Sequence, residues 1–170
     1  LPDMVVLGKP VGSGHPVGVV ITTEDIAASF ANGMEFFSTF GGTTLACEIG
    51  AEVLSIVDDE GLQQNAHLQG QLLHDGLRQL QQRHMLIGDV RGRGLFLGVE
   101  LVTDRTTKHP ATALAGYVSN RLRDHRILVG TDGPHDNVLK IRPPLTIGTA
   151  DCKLLLARLD DVLLEADLLN

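Results

Sequence analysis

The chain has 170 residues, 43% hydrophobic and 21% charged, with a formal net charge of −7. This is the balance of a globular protein, and the negative charge speaks against a nucleic-acid partner, which needs a basic face. No apolar run approaches the roughly 18–20 residues needed to cross a bilayer, so no membrane partner is expected. Cys47 and Cys152 lie far apart, without metal-type spacing. Two free thiols, no metal and a reducing cytoplasmic setting are therefore expected. The first residues, LPDMVVLGKP, lack the features of a secretory signal and begin abruptly in an apolar run, as if inside a domain.

In chain order, Met4 to Leu7 reads as a short apolar strand, and Gly8 to Pro16 is dense in turn formers. Val17 to Ile21 is a strand candidate that suits burial on both faces. Ile26 to Ala31 predicts a short helix, and Phe36 to Gly42 a loop. Thr43 or Thr44 can cap a helix with Leu45, Ile49, Val53 and Ile56 on one stripe. A second helix, about Leu62 to His84, places Leu62, Ala66, Leu73, Leu77 and Leu80 at helical spacing. Ile87 to Arg91 and Leu95 to Val102 read as strands joined at Gly92-Arg93-Gly94, with Arg91 and Arg93 structural. Thr112 to His125 predicts a helix, followed by short strands at Ile127 to Val129 and Val138 to Ile141, the second ended by Pro143-Pro144. Asp132 reads as a turn residue, and Asp151 to Leu168 as a closing helix. From about residue 60 the element order predicts a small α/β domain with a mainly antiparallel sheet of three or four strands.

Lys9 is one of four lysines and stands between an apolar run and a glycine-rich turn. A lysine that attacks a carbonyl has to shed its proton, and apolar surroundings favour the neutral amine. The same residue also suits an ordinary surface turn. Ser38-Thr39-Phe40-Gly41-Gly42 before a helix reads either as an anion cradle of hydroxyls and N–H groups or as a plain turn. Lys140 and Arg142 lie two residues apart and share one face of a strand; they suit an anion or open solvent. His15 reads as a loop-orienting residue, and Cys47 as a small buried side chain.

PDMVVLGKPVGSGHPVGVVITT resembles the cofactor-lysine segment of the class III aminotransferases, which have the pyridoxal-phosphate (PLP) fold type I. FFSTFGGTTLACEIGAEVLSIV, IGDVRGRGLFLGVELV and TDGPHDNVLKIRPPLTI are similar to later segments of those enzymes, in the same order. TDGP followed by NVLKIRPPL looks most like the subgroup with ethanolamine-phosphate and 5-phosphohydroxylysine phospho-lyases. The resemblance implies an α/β fold: the end of the PLP-binding large-domain sheet and a connecting helix over residues 1–59, then a small C-terminal α/β domain over 60–170. It implies PLP as cofactor, with Lys9 as the Schiff-base lysine and the base that moves a proton between the substrate α-carbon and the cofactor C4′. Thr39 matches the threonine that binds the cofactor phosphate, usually that of the other subunit, and Ser38 is a second candidate. Many members carry a carboxylate-binding arginine where Lys140 stands here, so Lys140 and Arg142 become the substrate-binding candidates.

The implied activity is amino transfer between an amine and a keto acid, in a cytoplasmic homodimer. A phospho-lyase acting on an O-phosphorylated amine is the alternative within PLP chemistry. The family's ring-nitrogen aspartate and its main phosphate helix belong upstream of Lys9. The chain alone is therefore expected to be an inactive fragment, and a folding or dimerisation module is the non-catalytic alternative.

Overall fold

Short apolar runs at each end of a glycine-rich loop make a hairpin, β1 (Met4–Leu7) paired antiparallel with β2 (Val19–Thr22). Val17 and Gly18 belong to the loop, so the second strand starts later than its β-branched run suggests. Val20 and Ile21 are exposed rather than covered on both faces. Helix α1 (Glu24–Phe30) and helix α2 (Thr44–Asp59) follow. Thr43 is the N-cap of α2, yet its hydroxyl makes no capping bond. The computed structural model describes residues 1–167, and they divide into two units at Gly61/Leu62.

Within the first unit, only Gly12 is buried among the described residues. A Cβ there would stand 3.2 Å from Val17 Cγ2, so the glycine lets the loop close on itself. Cys47, expected inside, is exposed, because the face of α2 that carries it has little packed on it. Phe30, Met34, Phe36, Phe37 and Phe40 are all exposed, and Phe30 and Phe36 meet edge to face.

The second unit builds its own core. Helix α3 (Leu62–Arg83) buries Leu62, Leu73, Leu77 and Leu80, as its spacing predicts. Strands β3 (Ile87–Arg93) and β4 (Phe96–Asp104) pair up to Arg93↔Phe96, and the two-residue β5 (His109–Pro110) joins the outer end of β4. Helix α4 (Thr112–Asp124), strands β6 (Gly130–Asp132) and β7 (Val138–Ile141) and helix α5 (Thr149–Asp167) complete the unit. Leu168, predicted as the end of α5, lies outside the described residues. The sheet has five strands in the order β3-β4-β7-β6 with β5 on β4, every pairing antiparallel, one or two strands more than predicted.

Leu97, Val99, Leu101, Leu139 and Ile141 point into the helices, while Glu100 and Lys140 alternate to the other face. Each fully buried leucine contributes about 1.5–3 kcal/mol. The Arg105 guanidinium donates to the carbonyls of Gln81 and His84, acceptors that the end of α3 leaves open, and to that of Ile87 at the start of β3. Buried His84 meets Asp160 at 2.6 Å, and Arg83 reaches the same carboxylate at 2.9 Å, which ties α3 to α5.

The predicted strand at 127–129 is absent. Arg126 takes the left-handed conformation (φ 64°), the Ile127 N–H donates to Leu122 O and the Arg126 N–H to Arg123 O. Those bonds close α4 in a Schellman pattern, a position that usually holds glycine. The chain therefore finishes a helix where its apolar run suggested a strand, and pairing begins at Gly130.

Two helical glycines give opposite expectations. At Gly70 a Cβ would fall 2.4 Å from the backbone of Gly94, whereas at Gly116 it would meet nothing within 4 Å. In urea unfolding of the chain, Gly70→Ala should therefore destabilise the second unit by about 1–3 kcal/mol through overpacking. Gly116→Ala should stabilise it by about 0.5–1 kcal/mol. A stabilised Gly70→Ala protein would contradict the close approach of α3 to the β3–β4 turn.

Candidate active site

The hairpin register decides where Lys9 stands. Leu7↔Val19 is the last pair, after which the chain turns at once: Gly8 is extended (φ −145°), and Lys9 is left-handed at φ 43°. A left-handed lysine costs about 1–3 kcal/mol, and such strain concentrates at functional positions. Lys9 opens a single 3₁₀ turn, Lys9–Gly12, with the Val11 N–H on Gly8 O and the Ser13 N–H on Pro10 O. The Lys9 side chain is exposed, not enclosed by apolar groups as its sequence setting suggested. Among the described residues it has no ion-pair partner, so its amine is open to a ligand. The His15 side chain makes no hydrogen bond among the described residues; only its backbone N–H donates, to Gly12 O.

Ser38 and Thr39 occupy the loop before α2. The Gly41 N–H donates to Ser38 Oγ at 3.0 Å, and a Cβ on Gly41 would stand only 2.7 Å from that oxygen. The loop thus closes tightly around the Ser38 hydroxyl, whose own hydrogen stays available to an anion. Thr39 is exposed, with its hydroxyl unpartnered among the described residues. These two hydroxyls fit an incoming phosphate, and the open amine of Lys9 fits an aldehyde. The two loops meet at one groove of about 570 Å³, lined by Leu7, Val11 and Val17 from one and Phe40 and Gly41 from the other. Lys9, Ser38 and Thr39 themselves stand outside its lining.

Lys140 lies in the second unit on the face of β7 opposite the buried Leu139 and Ile141, whereas Arg142, expected on the same strand face, follows the strand's last residue. Both line a cavity of about 510 Å³ with Arg126, Asp151 and the chain from Ile127 to Thr131. Lys140 Nζ is ion-paired with Asp132 Oδ2, while the Gly133 N–H donates to Asp132 Oδ1 at 2.8 Å. These contacts, Lys140 first, hold the Asp132 carboxyl below the usual carboxylate range. Asp132 is thus the final residue of β6 and a partner of Lys140, rather than a mere turn residue. Sequence reasoning missed Asp132 in this role and passed over Arg126. The hairpin pairing Gly130↔Lys140 is what brings Asp132 within reach, and that register is invisible in residue spacing alone. Arg91, by contrast, is held by Asp89 and Glu100 at 2.8 and 2.6 Å, which raises its already high pKa.

Known proteins agree with this architecture. The family profile described as aminotransferase class III matches residues 1–163. An alanine–glyoxylate aminotransferase 2-like protein of Drosophila melanogaster is 47% identical over 147 residues, covering 85% of this chain and 30% of the relative. Ethanolamine-phosphate phospho-lyase homolog 1 of Caenorhabditis elegans is 42% identical over 164 residues, covering 96% of this chain and 35% of the relative. Among solved structures, an Arthrobacter phospholyase in complex with phosphoethanolamine superposes with a TM-score of 0.91 at 38% identity, covering 96% of this chain and 39% of that one. The chain therefore spans about a third of the length of the relatives it matches. Members of the matched family depend on pyridoxal phosphate. The chain, over nearly its whole length, belongs to the class III aminotransferases.

Proposed function

We propose that this chain supplies the C-terminal part of a PLP-dependent aminotransferase, with Lys9 as the residue that bonds covalently to the cofactor. The observation that carries the reading is the left-handed backbone of Lys9 at the end of the β1–β2 pairing, with its amine free of protein partners. Bound pyridoxal phosphate supplies an electron sink for the substrate α-carbon. Lys9 Nζ takes the proton from that carbon and returns it, as a general base and then acid. The Ser38 and Thr39 hydroxyls donate to phosphate oxygens, and Arg142 orients the substrate's anionic group. The partners are then an amine, a keto acid and a second copy of the subunit. The exposed Phe30, Phe36, Phe37 and Phe40 support the last, because an apolar patch of this kind marks a surface that another chain covers. A cytoplasmic setting accompanies the two free thiols.

A second reading has a specific observation in its favour. Likeness to a phospholyase in complex with phosphoethanolamine supports elimination of phosphate from an O-phosphorylated amine. Lys9 serves both reactions by the same proton abstraction. Phosphate release from phosphoethanolamine without any keto acid would select the phospho-lyase, and keto-acid-dependent turnover the aminotransferase.

In the holoenzyme that contains this chain, Lys9→Ala should lower turnover by at least about 10²–10⁴-fold, the contribution of a positioned acid–base. Circular dichroism should stay unchanged, and near-wild-type turnover would refute the role of Lys9. Thr39→Val should weaken PLP retention by about 1.5–3 kcal/mol, the contribution of a hydrogen bond to a charged group. Equilibrium dialysis checks this; unaltered retention would reduce Thr39 to a loop residue.

A further inference from the structure

The cavity of the second unit holds its positive charges in two different states. Lys140 is ion-paired to Asp132, which is itself fixed by the Gly133 N–H. Arg126 and Arg142 line the same cavity and have no side-chain hydrogen bond or ion pair among the described residues. Asp151, in the first turn of α5, lines it too and opposes an anion. An anion entering here finds two guanidinium groups free of direct hydrogen bonds and ion pairs among the described residues, although Asp132 also attracts Arg142, and one ammonium already neutralised. To recruit Lys140 it would have to break an existing ion pair, whereas a guanidinium offers a ready fork of donors for an oxyanion. The backbone adds to this arrangement. Arg126 is held in the left-handed conformation by the bonds that close α4, so its position is built into the helix end rather than left to a free loop.

We infer that Arg142, with Arg126, makes the anion contact of this cavity, and that Asp132 is a positioning residue that withholds Lys140 from it. The inference rests on the proposed function for the statement that the anion belongs to the substrate, as a carboxylate or a phosphate ester. The two sources share the chemistry of an oxyanion in a guanidinium fork. In this arrangement, the lysine standing at the strand position is not the ligand, and the substrate's anionic group is read one alternate residue further along the chain.

The test is an NMR titration of the full chain with inorganic phosphate and, separately, with acetate, following the cavity residues. Saturable shifts at Arg142 and Arg126 are expected with at least one probe, and the preferred probe tells a phosphate ester from a carboxylate. Arg142→Met should weaken binding by about tenfold or more, the loss expected for a hydrogen bond to a charged group. Lys140→Met should leave binding within about twofold, since its charge is already balanced. Asp132→Asn, which frees Lys140 with little change of shape, should tighten binding severalfold without altering the melting temperature in step. Arg142→Lys provides a check that keeps the charge and loses the fork, and it should still bind more weakly than the parent. Absence of saturable binding, a loss in Lys140→Met equal to that in Arg142→Met, or weaker binding in Asp132→Asn overturns the inference. No cofactor enters the measurement, so failure of the Lys9 assignment would leave this result untouched, and the reverse also holds.

Discussion

Antiparallel pairing from Met4↔Thr22 to Leu7↔Val19 ties together the two ends of the loop that carries Lys9. With both ends fixed, the loop leaves β1 through Lys9 in left-handed backbone. A lysine would not choose that conformation unaided, so the hairpin bonds and the contact of Gly12 with Val17 must hold it there. The Lys9 amine is thereby carried on a backbone that cannot relax without undoing the turn. Pre-organisation of this kind is what a covalent cofactor link and a proton transfer at one carbon both require.

The two units differ in how they obtain stability. In residues 62–167 a sheet with alternating side chains lays one face on α3 and α4, α5 packs against both helices, and leucines from α3 and α5 join the same core. Arg105, His84 and Asn137 then satisfy polar groups that this burial would leave open; the Asn137 amide, for instance, donates to Leu101 O at 2.8 Å. The first unit has the opposite balance, with its candidate cofactor groups on loops and its apolar side chains facing outward. The relatives that this chain matches are about three times as long as it is.

The elements of the second unit were legible in the sequence because its apolar residues recur with the period of the structure that buries them. Leu73, Leu77 and Leu80 announce α3, and Pro143-Pro144 ends β7 where the missing N–H groups require it. Legibility failed where the decisive fact was a backbone conformation or a cross-strand neighbour. Arg126 closes a helix in a place normally taken by glycine, so the run Ile127 to Val129 looked like a strand. Asp132 looked like turn chemistry because its partner lies across a hairpin, and Cys47 looked buried because its helix is apolar. For the candidate site, Lys9, Ser38 and Thr39 rose above ordinary turn residues only through resemblance to the family. The left-handed lysine and the tight Ser38–Gly41 loop are physical reasons that spacing alone did not contain.

The most direct measurement is to reduce the PLP-loaded holoenzyme that contains this chain with borohydride, digest it and locate the phosphopyridoxyl group by mass spectrometry. The account predicts the label on the peptide that contains Lys9, and on none containing Lys108, Lys140 or Lys153. A label on any of those three lysines, or on a lysine outside this chain, would contradict it.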